Sequence, residues 1–294
     1  MEQSLSYYLT IWVIKFKGVK KSFSKNPIDF YKIRKEDVRT VKPKFFKNCT
    51  TSFNKISHSE VTKINQNQKS NSLVLFIHGG AYISGPAQHH WDSIKTIVKK
   101  TNHNLWLVNY PKAPEHKIGE ISNNIDAVYK AALEFYDSQK IILIGDSVGG
   151  ALITALVQRL LKNNIKIPIK IILISPVMDA TLTNPKINEI DLIDPMLSKN
   201  GVLSAKQMTT EENQLSNEMI SPINGSFIGF PKTILFLASN DITFPDQEIA
   251  VEKMKNENVD LEIIYGENMP HIWPLLPVMK EAKTALNILI SHLN

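Results

Sequence analysis

Cysteine is almost absent from this chain of 294 residues: Cys49 stands alone. One thiol cannot close an internal disulfide, which excludes a disulfide-stapled scaffold and fits a reducing, cytoplasmic setting. Cys49 lies in a polar stretch without a recognisable partner, so it reads as a structural thiol and not a catalytic one. Long apolar runs are missing too. No stretch of about 18 or more apolar residues occurs, so an integral membrane span is not expected. The apolar start, Tyr7 to Phe16, is short, follows Glu2 instead of a basic segment and lacks a small-residue cleavage site, making a poor secretory signal. An amphipathic helix there would touch a membrane or, the preferred expectation, cover the mouth of a site on its own chain.

Internal repeats and low-complexity tracts are absent, and the composition, 43% hydrophobic and 21% charged, is that of an ordinary folded domain. The formal charge of +6 raises the question of nucleic acid. Most of the excess lies near the amino end, where Lys15, Lys17, Lys20, Lys21, Lys25, Lys32, Arg34, Lys35, Arg39, Lys42, Lys44 and Lys47 face only Asp29, Glu36 and Asp37. No aromatic-basic motif accompanies them, so a solvated basic surface is expected and nucleic acid is not.

What is present is an alternation. Ile-, Val- and Leu-rich runs at Leu73 to Ile77, Leu105 to Val108, Lys140 to Ile144, Ile169 to Ser175, Thr233 to Ala238 and Leu261 to Tyr265 read as strands buried on both faces. Helical spacing fills Trp91 to Lys100, Ile121 to Tyr136, Gly149 to Leu161, Asp246 to Asn256 and Leu275 to Leu293. Strand, helix, strand predicts a doubly wound, mostly parallel α/β sheet. Residues 1–50 and 179–230 break the pattern; the second is too long for a structureless loop. We expect 1–50 as an N-terminal cap segment, 51–294 as the catalytic domain, and 179–230 as a second cap segment within it.

The strongest local signal is the run from Lys140 through Gly145-Asp146-Ser147-Val148-Gly149-Gly150, a strand entering G-x-S-x-G and then a helix. A serine on that turn is lifted above the sheet, and the turn is too tight for side chains two residues before and after it. The motif alone arises by chance in roughly one chain in ten of this length; the flanking strand and helix give it weight, and Ser147 is assigned as nucleophile. His78-Gly79-Gly80-Ala81-Tyr82 follows another strand directly. Glycines let backbone amides approach an oxygen that gains negative charge, so the Gly79 and Gly80 amides, with that of Val148, are expected to form an oxyanion hole. His78 reads as a loop-organising residue.

An acid and a base should then follow the nucleophile in chain order. Asp241 stands after Thr233 to Ala238 and His271 after Leu261 to Tyr265, which predicts a Ser147, Asp241, His271 triad. Asp246 is better placed to begin a helix, and His292 lies in a helical pattern near the carboxyl end.

HGGA at 78–81, NYPKAPEHK at 109–117, GDSVGG at 145–150, SPVMD at 175–179, SNDITFPD at 239–246 and MPHIWP at 269–274, in this order, resemble the hormone-sensitive-lipase-like α/β-hydrolases. The resemblance covers about residues 70 to 290 and implies a capped α/β-hydrolase fold, the same triad and hole, and hydrolysis of small to medium acyl esters. It implies neither metal nor cofactor. Amide or arylformamide hydrolysis, or a catalytically silent small-molecule receptor, are the alternatives on this fold; a homodimer is compatible with the sequence. Two departures stand out: Ala81 where the family has a third glycine, and Gly119 near where it has a proline.

Overall fold

The computed structural model describes residues 2–211, 214–276 and 278–294. The chain opens with three helices, α1 (Leu5–Phe16), α2 (Val19–Ser22) and α3 (Phe30–Ile33), then forms a hairpin of β1 (Cys49–Ile56) and β2 (Ser59–Gln66). The alternating part follows as β3 (Leu73–Ile77), α4 (Gln88–Lys100), β4 (Asn104–Asn109), α5 (Ile118–Leu133), β5 (Ile141–Asp146), α6 (Val148–Lys162) and β6 (Lys170–Ile174). An excursion carries α7 (Ile187–Ile193) and α8 (Lys199–Thr209) before β7 (Lys232–Asn240), α9 (Phe244–Asn256), β8 (Leu261–Pro270) and α10 (Lys280–Ser291) close the fold.

The strands lie in the order β1-β2-β4-β3-β5-β6-β7-β8. From β4 through β8 all neighbours run parallel, while β2 pairs antiparallel with both β1 and β4. All residues of β3, β4 and β5 are buried, as strands covered by helices on both faces must be. Two apolar layers result, one through Leu73, Leu75 and Ile77 and the other through Val74 and Phe76, following the period-two alternation of a strand. The chain runs from β3 to β4 on one side and then crosses back to β5 on the other side of β3. Crevices for ligands open at such a reversal, beyond the carboxyl ends of the strands.

All six expected strands and five expected helices are present, with ends shifted by a few residues. The hairpin was not expected: Cys49 and Thr50, assigned to the N-terminal segment, belong to the sheet. The last helix starts at Lys280, not Leu275; a short 3₁₀ turn occupies Trp273–Leu275, and Pro277 lies outside the described residues.

The two irregular segments pack on each other. At Gly201 in α8 an added Cβ would lie 1.7 Å from the Phe23 carbonyl oxygen. The Ile28 amide donates to Ser204 Oγ at 3.0 Å, and Lys20 Nζ donates to the Asp194 carbonyl at 3.0 Å. Phe23 packs against two small apolar clusters, one containing Ile28 and Ala205 and the other Leu182 and Val202. Gly201→Val should therefore separate these segments. Overpacking of this kind costs about 1–3 kcal/mol, read as a lower urea midpoint, with earlier proteolysis in residues 17–30 than in the parent.

Candidate active site

Three strand ends build the site. β5 ends at Asp146, and Ser147 follows with φ 53° and ψ −123°, a left-handed conformation that only tight surroundings hold in a residue with a Cβ. The surroundings are glycine. A Cβ on Gly145 would lie 2.6 Å from the Gly149 carbonyl carbon, and one on Gly149 would lie 2.0 Å from the Ile77 carbonyl oxygen. The flanking glycines thus permit close approach of backbone to backbone. The Ser147 amide donates to Ile174 at 2.8 Å and its carbonyl accepts from Val177 at 3.1 Å, fixing the turn against the end of β6. Ser147 remains 8% exposed at the amino terminus of α6, whose first amides have no partner within the helix.

The pairing of β7 with β8 brings acid and imidazole together. After an irregularity between Ala238 and Asn240, Asn240 pairs with Pro270, so the next residues, Asp241 and His271, leave the sheet side by side. His271 Nδ1 donates to Asp241 Oδ2 at 2.6 Å, and Asp241 Oδ1 accepts from the Thr243 amide at 2.9 Å. Both residues are buried. The Ile272 amide donates to Ser175 Oγ at 3.0 Å, and Ser175 adjoins Ile174, the acceptor of the Ser147 amide. Two adjacent residues at the end of β6, Ile174 and Ser175, thus tie the loop of His271 to that of Ser147. Among the described residues no hydrogen bond yet joins the Ser147 hydroxyl to His271, whose other nitrogen carries no partner either.

The third strand end is β3 with the loop after it. Here one expected role moves. The Gly79 amide donates to Asp146 Oδ1 at 3.0 Å, so it is occupied and unavailable to a substrate oxygen. No backbone partner holds the amides of Gly80, Ala81 or Val148. Gly80 and Ala81 turn through positive φ, 119° and 53°, and a Cβ on Gly80 would lie 2.2 Å from the Ser84 carbonyl oxygen. His78 is fully buried, its ring stacked on Tyr110 at 4.6 Å and its Nδ1 donating to the Gly79 carbonyl at 2.6 Å.

Sequence reasoning missed three polar residues around these groups. His90 Nε2 lies 3.3 Å from Asp146 Oδ2, and its Nδ1 accepts the Ala87 amide at 2.9 Å. That amide assigns the tautomer: Nε2 carries the proton and donates to the carboxylate. Burial pushes Asp146 upward, but His90, His89 and the Gly79 amide outweigh it and hold the carboxyl below its usual range. Asp194, in the excursion, accepts from the Met196, Leu197 and Ile242 amides at 2.7, 2.9 and 3.0 Å; burial and the Asp241 charge raise its pKa. Asp146 was visible as the second residue of the serine motif, whereas His90 and Asp194 belong to no spacing rule.

His89, His90 and Asp146 place ligand-type atoms within 4.8 Å of one another. With both ring nitrogens of His90 engaged, it has no free lone pair for an ion, and the group is better suited to hydrogen bonding than to coordination. Asp246, the weaker acid candidate, lies in the first turn of α9, accepts from Asn184 at 3.1 Å and is pushed up to about 6 by burial. His292 pairs with Glu262 at 3.1 Å. Cys49 is half-buried beside Gln66.

Burial alone would lower the pKa of His271, but the charge and hydrogen bond of Asp241, with Asp194 and Asp146 behind, raise it above the ordinary value. A histidine raised in this way contributes stability that is complete below about pH 6.5 and is lost as pH rises through the folded value. In an NMR titration the His271 ring should titrate above its ordinary value. In Asp241→Asn it should titrate lower than in the parent, because burial then loses its main opposition.

Residues 74–275 match the α/β-hydrolase fold family. An esterase of Acinetobacter venetianus is 30% identical over 199 residues, a match covering 67% of this chain and 66%, just under two thirds, of that protein's length. A crystal structure from Staphylococcus aureus superposes with a TM-score of 0.82 at 29% identity over 90% of both chains. An esterase of the bacterial hormone-sensitive lipase family gives a TM-score of 0.85 at 20% identity, covering 100% of this chain and 98% of that one. At that identity the likeness speaks for the fold alone. No helix among the described residues is long and apolar enough to cross a membrane.

Proposed function

The chain belongs to the α/β-hydrolase fold family, and from that premise we propose that it is a serine-dependent carboxylic-ester hydrolase acting on small to medium acyl esters. The observation that carries the reading is the 2.6 Å contact of His271 Nδ1 with Asp241, in loops fastened through β6 to the strained turn of Ser147. Similarity to the Acinetobacter esterase supports it.

The chemistry follows from the groups. Ser147 Oγ attacks the ester carbonyl carbon while His271 Nε2 takes the hydroxyl proton. Asp241 keeps the opposite nitrogen protonated and stabilises the imidazolium that forms. Negative charge gathers on the former carbonyl oxygen, met by the amides of Gly80, Ala81 and Val148; one such donor is worth about 3–4 kcal/mol in the transition state. The imidazolium returns its proton to the leaving alcohol, leaving an acyl group on Ser147, and water then repeats the sequence to release the acid. Every bond made or broken belongs to Ser147, His271, substrate or water, so no step calls for a metal or cofactor.

Residues 1–48 and the excursion 179–230 act together as a cap in this reading, supported by the Phe23–Gly201 contact and by Asp194, whose Oδ2 holds the amide next to Asp241. The Ala81 side chain narrows the alcohol side of the site relative to a glycine there. Unpaired Cys49 supports a cytoplasmic setting.

Nitrophenyl esters from acetate to palmitate test the proposal. Hydrolysis should be fastest for the shorter chains, and an anilide of the same acid should turn over far more slowly; the reverse order would make the protein an amide hydrolase. A fluorophosphonate should label the parent and leave Ser147→Ala unlabelled with its fold intact by circular dichroism. Asp241→Asn should lower kcat by about 10⁴, with the acid limb of kcat/KM shifted down in pH. No turnover of any ester by the parent, without a burst, would leave a silent receptor.

A further inference from the structure

Three of the four tryptophans are enclosed, Trp91 at 0%, Trp106 at 2% and Trp273 at 6% exposure, whereas Trp12 in α1 is 60% exposed. It is not alone. Leu5, Tyr8, Leu9 and Phe16 of the same helix are 89%, 57%, 54% and 79% exposed. At about 100° per residue these five side chains fall within an arc of about 100°. Trp12 and Phe16 stack at 5.4 Å.

The opposite face of α1 is already used. Tyr7 and Ile14 are buried, Tyr7 Oη donates to the Asn268 carbonyl at 2.8 Å, and the Ser4 amide and hydroxyl donate to Glu281 at 2.7 and 2.8 Å. The helix is therefore held on the fold by one apolar face and presents a second to its surroundings. Monomeric proteins seldom leave a row of large apolar and aromatic side chains uncovered without a partner for it.

Charge says which partner. Lys15, Lys17, Lys21 and Lys25 are exposed on and just after α1, and Glu2 is the one acidic residue before Asp29. Lys20 reaches across to the Asp194 carbonyl, where α7 ends with Leu192 and Ile193 84% and 56% exposed. Aromatic and aliphatic side chains on one helix face, bordered by lysines, are the features of a helix lying in the plane of a lipid–water boundary. A second copy fits less well. A stripe about 18 Å long and about 10 Å wide offers about 200 Å² per copy, against about 800 Å² per partner in stable interfaces. Pairing two such stripes would also set lysines against lysines.

We propose that α1, with its neighbouring lysines, docks this protein on the surface of an anionic phospholipid bilayer, Trp12 and Phe16 entering the interface. The docking does not depend on the ester-hydrolase reading, but it would bring the cap, and through Asp194 the loop of Asp241, next to the lipid.

The full chain is mixed with vesicles of phosphatidylcholine alone or with equal phosphatidylglycerol. It should sediment with the anionic vesicles only, release as salt is raised, and show a blue shift and quenching by brominated lipid that disappear in Trp12→Phe, since the other tryptophans are enclosed. Leu9→Ser with Phe16→Ser, and separately Lys15→Glu with Lys17→Glu and Lys21→Glu, should each lower vesicle affinity by about tenfold or more, with the fold unchanged by circular dichroism. Failure of the parent to bind or to be quenched overturns the proposal whatever the variants do. So does equal binding by folded stripe variants, or a concentration-dependent doubling of mass that the stripe variant abolishes, which would assign the face to a second copy.

Discussion

The site depends on the closeness of two backbones at the point where the chain reverses its course through the sheet. Gly149 rests against the Ile77 carbonyl so tightly that a single methyl group would collide with it, and the Gly79 amide is bound to the Asp146 carboxylate across the same seam. β3 and β5 are hydrogen-bonded neighbours up to that point, so the turn after one and the loop after the other cannot move independently. A strained serine and a loop of uncommitted amides are thereby held in one frame, the preorganisation that the proposed acyl transfer would require.

That frame contains buried charge, and each charge has its partners. Asp146 lies between the Gly79 amide and His90, whose Nδ1 accepts the Ala87 amide. Asp194 gathers three amides, one of them adjacent to Asp241. Lys206, fully buried in α8, gives its ammonium to the Asp179 carbonyl at 3.0 Å and is lowered to about 8 by burial. Removing one partner from such a group costs more than the bond itself is worth, because the other is left in a medium that cannot solvate it. These contacts bind the excursion to the central strands with a specificity that apolar packing alone would not supply.

The parallel strands were legible because burial on both faces demands continuous runs such as Leu73 to Ile77, and the contact of Asp241 with His271 was legible because both stand at strand ends in a fixed chain order. Asp241 and His271 could be named before their register was known. What escaped was whatever depends on a partner distant in sequence. The Gly79 amide could be assigned to a substrate oxygen only while the position of the Asp146 carboxylate was unknown, and His90 has no meaning until α4 is laid beside β5. The hairpin was missed for another reason: β1 is largely exposed and lacks an apolar alternation strong enough to announce a strand.

That weakly marked hairpin covers one edge of the sheet. A parallel sheet that ended at β4 would offer a row of free amides and carbonyls beside a wholly buried apolar strand, an invitation to zip onto any extended chain. β2 covers that row, and β1, carrying Asn54 and Lys55 on a mostly exposed ribbon, becomes the new margin. Polar, charged margins resist edge-to-edge growth. The wholly buried apolar strand β4 is thereby kept off the sheet's margin, a guard supplied by the least conspicuous strand of the fold.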